Sequence, residues 1–398
     1  MRDALVFLMF LSAFVVVIEP APVDVIFVAA TVVMVATGLA FNVAVVPLAA
    51  FLLLYNLGGF LSYLQVLEDS RAGMFVITSS YMAVSAVVMA CYVAQDPLRA
   101  MAVIARGWTA SAVIASIIAI AGYMMGGSLH EYLSPIGRAQ GLFKDPNVFS
   151  TFIIPPTILS IRSFLMGEHR RPALATVNLI ILLAAQFLAF SRGAWLNFML
   201  AAVLLVGLTF VLSPDPRMRS RIALLSIGGF LLAAILLALL LSNPRIAALF
   251  SERANALNYY DVGETGRFGN QMRSIPMLLL RPNGFGPVQF RYYLGHDPHN
   301  VFLNGFASFG WLGGITYLVM IISTLVVGVR SILVRTPWHS HAIAIFACFV
   351  AVAFQGVQID TEHWRHFYWV TGPLWGLYAA YYSAGSSPAR DSRPDGTD

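Results

Sequence analysis

The sequence predicts an all-α fold: a polytopic transmembrane helical bundle of about 12 helices, with one large periplasmic loop containing short helices. Three observations lead there. Hydrophobic residues make up 59% of the 398 positions and charged residues only 11%, against about 25% charged in a soluble domain. The apolar residues fall in long runs, each approaching the length needed to cross a bilayer core of about 30 Å. Basic residues recur on alternate loops between those runs.

The runs place spans at roughly 4–18, 24–41, 44–60, 74–94, 102–125, 148–166, 174–190, 194–212, 222–242, 300–327, 342–357 and 368–383. The first could pass for a signal peptide, but Glu19-Pro20-Ala21-Pro22 offers no small-residue cleavage site, so it is read as a retained span. The second and third are short enough to form one re-entrant hairpin. Cys91 and Cys348 both lie in apolar spans and suggest neither a disulfide nor a metal site. Residues 1–383 thus form a single transmembrane domain with a long loop over 243–299. Residues 384–398, rich in Ser, Pro, Asp and Gly, form a disordered tail.

Orientation follows from the short loops. Arg99, then Arg170 and Arg171, then Arg217, Arg219 and Arg221, then Arg330 and Arg335 fall on one side, joined by Arg390 and Arg393 of the tail. That side is cytoplasmic, and both termini lie there. The opposite side carries, among others, the loops 126–147, 191–193, 243–299 and 358–367. Arg138, Arg192 and Arg365 sit in its short loops, where the positive-inside rule disfavours them. An anionic substrate at the outer membrane surface is the simplest reason for them. Lys144 is the only lysine against 23 arginines. A GC-rich genome accounts for that ratio, so the argument attaches only to particular arginines. Guanidinium suits bidentate phosphate binding better than ammonium does.

The spans carry almost no ionisable residue near the bilayer centre. Arg106 and Arg162 lie near cytoplasmic ends, and the interior polar residues are Asn178, Gln186, Asn197 and Gln355. Ion-coupled transporters place carboxylates or histidines at the midplane, so this pattern disfavours a pump or carrier and moves any chemistry to the outer face.

Two outer segments echo each other. Asp145-Pro146-Asn147 opens the sixth span and Asp297-Pro298-His299-Asn300 the tenth. In each, Asp suits a helix cap and Pro the first turn, leaving an outward N-terminus of the kind that binds phosphate. Ordinary capping explains the same residues. Ser191-Arg192-Gly193 breaks an apolar run; the turn needs Gly but not Arg, although a snorkelling arginine would also sit there. The pairs His296/His299 and His363/His366 invite a zinc reading, but neither has i, i+4 spacing and no cysteine or glutamate completes a site.

His299-Asn300, nine residues, then Gly310-Trp311-Leu312-Gly313 resembles the signature of the O-antigen ligases. Three further pieces look like the same superfamily of ligases and polymerases. These are Arg138-Ala139-Gln140-Gly141 leading to Asp145-Pro146-Asn147, then Ser191-Arg192-Gly193-Ala194-Trp195, then Gly266-Arg267 followed by Pro282, Gly284, Gly286 and Pro287. The pieces run in order from about 138 to 315, all on the outer side. Two features depart from the pattern: Gln271 stands where the family often has an aromatic, and the glycines after Pro282 come one residue early.

The resemblance implies a bacterial inner-membrane glycosyltransferase of lipopolysaccharide biosynthesis, with its active site at the periplasmic face. The implied donor is a glycan on undecaprenyl pyrophosphate, and the implied acceptor is a hydroxyl of lipid A–core or another glycan. Arg192 and Arg267 would bind the pyrophosphate and stabilise its charge as it leaves, with Arg138, Asn147, Asn300 and Arg273 as further substrate contacts. His299 would be the general base, imidazole being the side chain that titrates near neutrality. The family implies inversion at the anomeric carbon, no metal and no cofactor, arginines taking the electrostatic role. Membrane lipids are expected neighbours and nucleic acid is not a partner. An O-antigen or exopolysaccharide polymerase shares the fold and donor; polymerases often carry two Arg-x10-Gly patterns, and only Arg273 to Gly284 fits here. A protein oligosaccharyltransferase and a transporter are the remaining alternatives.

Overall fold

The computed structural model describes residues 1–254, 263, 266–295 and 297–386. His296 and the tail from 387 onward lie outside the described residues; among the described residues there is no strand. The helices are α1 Arg2–Ser12, α2 Pro22–Ala36, α3 Val46–Tyr63 (entered through a 3-10 turn, Val43–Val45), α4 Ser70–Gln95, α5 Pro97–Met124 and α6 Ser128–Leu133. There follow α7 Pro146–Phe152, α8 Ile154–Met166, α9 Pro172–Leu188, α10 Arg192–Leu212, α11 Pro216–Leu241 and α12 Pro244–Ala254. The last are α13 Arg267–Leu279, α14 Arg291–Leu294, α15 Val301–Leu333, α16 His339–Gln355 and α17 Arg365–Ser386.

Among the described residues, 7 helical segments are long and apolar enough to cross a membrane: Val43–Tyr63, α4, α5, Pro146–Met166, α10, α11 and α15. α2, α9 and α16 are apolar but shorter. The alternative of one re-entrant hairpin for the second and third spans gains no support from the packing: α2 packs on α1, whereas α3 packs on α15 and α4. The first span also ends early, at Ser12; beyond it the chain leaves the helix and Val16 N–H donates to Leu142 O (3.1 Å). The 243–299 stretch holds the short helices α12, α13 and α14.

The bundle closes around aromatic side chains. Phe10 of α1, Trp108 of α5 and Trp369 of α17 meet with ring centroids 5.1 to 5.7 Å apart. α11 is the exception: beyond Arg221 it is apolar on nearly every side, yet only Ile222 is buried. A helix of that kind needs an apolar surrounding, which lipid supplies.

Contacts between helix ends sort the bundle into two poles. At one, Arg2 Nη1 donates to Gln95 Oε1 (3.0 Å), Asn42 Nδ2 to Ser383 Oγ (2.7 Å), and Arg162 pairs with Glu168. At the other, Ala139 N–H donates to Leu188 O (3.0 Å), Val301 N–H to Gly356 O (2.8 Å), and Arg365 grips Asp24. This second pole carries α12, α13 and the connections around residues 134–145 and 356–364.

α15 is broken at Gly310, which has φ +66°. The loop after α13 fills the break: Trp311 N–H donates to Pro282 O (2.8 Å), and Phe285 N–H to Ala307 O (2.7 Å). A Cβ at Gly310 would lie 2.6 Å from Pro282 O, so both the conformation and the space demand glycine. Gly313 does serve close helix packing: a Cβ on Gly58 of α3 would lie 2.7 Å from its nitrogen.

Candidate active site

Arg192 is the first residue of α10, because Ser191 takes the cap position and its Oγ accepts from Ala194 N–H (3.4 Å). Trp195 fixes the turn, stacking on Phe187 (5.4 Å between centroids) and donating its indole N–H to Gln186 O (3.0 Å). Arg267 likewise opens α13, after Gly266. Both guanidiniums therefore start from the positive end of a helix, which favours an anion near them. Arg138 comes from the extended segment before α7 and is only 7% exposed. Its Nε donates to Ala189 O (2.7 Å) and its Nη2 to Asn147 Oδ1 (2.9 Å). Asp145 caps α7 as expected, accepting from Asn147 N–H (2.6 Å).

These residues meet at one cavity of about 370 Å³. Arg138, Asn147, Arg192 and Arg267 line it, together with Arg253 of α12, Phe190, Gln355, Gln358 and Ile359; none of the described lining residues is acidic. Its wall is braced from below by a buried amide network, in which Gln355 Nε2 donates to Thr151 Oγ1 (2.9 Å) and Asn197 Nδ2 donates to Gln355 Oε1. Asn197 thus supports the wall, and Gln355 both lines the cavity and joins the network.

His299 does not line the cavity. It stands across the connection between α16 and α17, whose Gln358 and Ile359 face the cavity while Asp360 faces the imidazole. Nδ1 lies 3.5 Å from Asp360 Oδ2, and the side chain is 44% exposed. The other carboxylate oxygen of Asp360 accepts from Asn300 N–H (3.0 Å), and Gln271 Nε2 donates to His299 O (3.1 Å). His299 has φ +49° and Phe190 φ +46°. Left-handed backbone outside glycine costs of order 1–3 kcal/mol and collects at functional sites.

The same connection carries Glu362, 5% exposed, whose Oε1 accepts from Asn304 Nδ2 (2.6 Å). Burial, and then the neighbouring Asp360 carboxylate, push its carboxyl up to about 8.

Several sequence expectations land elsewhere. Asp297 does not cap α15. Asn300 does, its Oδ1 accepting from Phe302 N–H (3.0 Å) and Leu303 N–H (3.2 Å), while its Nδ2 donates to Val357 O (3.2 Å). The Asn300 side chain is therefore a structural cap away from the cavity. Asp297 pairs with Arg291 (2.7 Å), and burial raises its carboxyl above the ordinary range. Arg273 is exposed on α13, 3.4 Å from Asn270 Oδ1, and does not line the cavity. Arg365 is held by both carboxylate oxygens of Asp24 (2.8 and 2.6 Å), so its place in a short loop answers to that ion pair. His363 rests against Phe75 (3.9 Å between ring centroids) and His366 against Trp364 (5.2 Å). No group of three or more His, Cys, Asp or Glu among the described residues is placed to hold a metal ion.

Two residues escaped the sequence reading. Asp360 stands in no motif, and only the fold brings it to His299. Arg253 had a legible signal: Ile246, Leu249, Phe250 and Arg253 recur at helical spacing, which puts an arginine on the apolar face of its helix. No family model matches the chain, and no curated protein matches it.

Proposed function

We propose that the chain is a membrane glycosyltransferase of the O-antigen ligase type, moving a glycan from undecaprenyl pyrophosphate to an acceptor hydroxyl on lipid A–core. The observation that carries this reading is the convergence of Arg138, Arg192 and Arg267, from three segments distant in sequence, on one cavity that shares a wall with His299 and Asp360. Clustered guanidiniums at helix N-termini suit a diphosphate. An imidazole oriented by a carboxylate suits removal of a hydroxyl proton.

In the proposed reaction the acceptor oxygen gives its proton to His299 and bonds the anomeric carbon from the face opposite the leaving group. The bond from that carbon to the phosphate oxygen breaks with its electron pair on the diphosphate. The leaving group gains a negative charge, and the arginines stabilise it. The pyrophosphate linkage stores the driving force, so no nucleotide is required.

In this reading the chain crosses the inner membrane about 12 times, α7 and α8 forming one pass. The arginine cavity opens to the periplasm and both termini are cytoplasmic. The sorting of helix ends into two poles supports the pass count, and the loop arginines support the orientation. Single cysteines in a background lacking Cys91 and Cys348 test it. Met272→Cys should react with an impermeant thiol reagent in intact spheroplasts, and Arg219→Cys should not; the reverse pattern overturns the orientation.

A strain lacking the protein tests the activity. Its lipopolysaccharide should run as core alone, with long undecaprenyl-linked chains accumulating, and His299→Ala should fail to restore it while still accumulating in the membrane. Core bearing one repeat unit would instead mark an O-antigen polymerase. Unchanged lipopolysaccharide with loss of secreted polymer would mark an exopolysaccharide polymerase.

A further inference from the structure

We propose that Arg253 is a fourth ligand of the diphosphate, carried to the cavity by the amphipathic helix α12; this rests on the reading of the cavity as a diphosphate site. Ile246 is 2% exposed, and Leu249 and Phe250 pack on the bundle core. Phe250 meets Phe187 at 5.5 Å and Trp195 at 5.7 Å between ring centroids. Trp195 is the residue that fixes the turn bearing Arg192, so the stripe seats α12 directly on that turn. Arg253 continues the stripe one turn further and enters the cavity.

A guanidinium at the end of a buried apolar face loses part of its hydration. Its Nε is buried and has no hydrogen-bond partner among the described residues. A buried N–H left without an acceptor is destabilising, and a phosphate oxygen in the cavity supplies the acceptor. Like charges also gather there: Arg253 shares the cavity with Arg138, Arg192 and Arg267. An anion with several oxygens suits a site that gathers guanidiniums from several segments.

The two arginines of α12 divide its work. Arg245 at the other end stands over the Tyr123 ring (5.5 Å to the centroid) and lies 3.4 Å from His130 Nε2. It anchors the helix away from the cavity. Since α11 before it has only Ile222 buried, α12 holds the bundle chiefly by its own apolar face and by Arg245. A diphosphate contacted by Arg253 therefore also ties α12 down over the site.

Calorimetric titration of the purified, detergent-solubilised protein with inorganic pyrophosphate tests the proposal. Arg253→Ala should weaken pyrophosphate binding at least about tenfold, Arg253→Lys should recover part of it, and Arg245→Ala, which loosens α12 without touching the anion, should weaken it clearly less. Arg253→Gln, closer in shape, guards against a folding defect and should be as weak as Arg253→Ala. Unchanged binding in Arg253→Ala and Arg253→Gln overturns the inference. So does equal weakening in Arg245→Ala, which would assign the effect to docking of α12. If Arg192→Ala and Arg267→Ala lose pyrophosphate while Arg253→Ala keeps it, only this inference falls. If the parent itself binds none, the diphosphate reading of the cavity falls with it.

Discussion

Arg162 and Arg138 are almost equally buried, at 6% and 7% exposure, yet their surroundings differ. Arg162 of α8 is clasped by both carboxylate oxygens of Glu168 (2.6 and 2.7 Å) and by Ser340 Oγ of α16. Charge and hydrogen bonds are matched within the chain, and the result clamps two helices at their ends. Arg138 donates to a main-chain carbonyl and an amide oxygen, and across the cavity from it stand three more guanidiniums. Burial of a cation is costly in both places. The difference shows that equal depth can carry unlike company: a carboxylate in one place, further guanidiniums in the other. Under the proposed function, that company of like charges from unrelated segments is what singles Arg138 out.

The largest effect that would break this comparison is on turnover. Arg192→Lys and Arg267→Lys should each lower glycan transfer about 100-fold despite keeping the charge, since lysine cannot make a bidentate phosphate contact. Glu168→Ala, at the other arginine, should leave turnover per folded molecule unchanged. It should cost about 2 kcal/mol of stability, less than for a fully buried pair because Glu168 is partly solvated. Transfer assays on purified variants, with thermal melts alongside, read both. Equal losses of activity at the two sites would erase the distinction.

Next in size is Gly310→Ala. Its φ of +66° and the 2.6 Å approach to Pro282 O should make it about 2–3 kcal/mol less stable. Gly207→Ala in α10, where a Cβ would meet open space, is the matched control. If both melt alike, the break in α15 is not held as described.

Asp360→Asn sharpens the contrast between the cavity and the histidine beside it. It should lower kcat about tenfold and leave the KM for the lipid-linked donor nearly unchanged, because Asp360 faces His299 and not the arginines. A raised KM with unchanged kcat would move Asp360 to the donor side.

The smallest effect is a pH dependence. The folded Glu362 carboxyl titrates above its ordinary value, so the fold favours its neutral form. That contribution is complete in acid, below the ordinary glutamate range, and is lost as pH rises through about 8. The melting temperature of the parent should fall on going from pH 7 to pH 9, and Glu362→Gln should flatten that fall. A parallel decline in both would remove Glu362 from the account.

Much of this was legible in the sequence. The expected spans 148–166, 194–212 and 342–357 match helical segments 146–166, 192–212 and 339–355 to within about three residues, because an apolar run long enough to cross a bilayer has few alternatives to a helix. Arg138, Asn147, Arg192 and Arg267 were singled out from local motifs, and they do meet. The failures have physical causes too. Asp297 lost the capping position to Asn300 because capping depends on which residue holds the extended conformation at the helix entry, and Asn300 does, at φ −155°. Arg365 looked exceptional by the charge rule only because its partner, Asp24, lies 341 positions away.

The sequence by itself determined the helices, the apolar surroundings they require, and the local turns that put Arg192 and Arg267 at helix starts. Those are properties of contiguous residues: hydropathy, capping and glycine placement act within a few positions. Only the tertiary structure decided that residues 138, 192, 253 and 267 share one cavity, that Asp360 meets His299, and that Arg273 and Asn300 stand apart from the arginines. Each of those outcomes depends on which helices pack together, through contacts such as Gly58 on Gly313 and the loop of Pro282 in the break at Gly310. Such contacts join segments far apart in the chain, and no local pattern encodes which of them will meet.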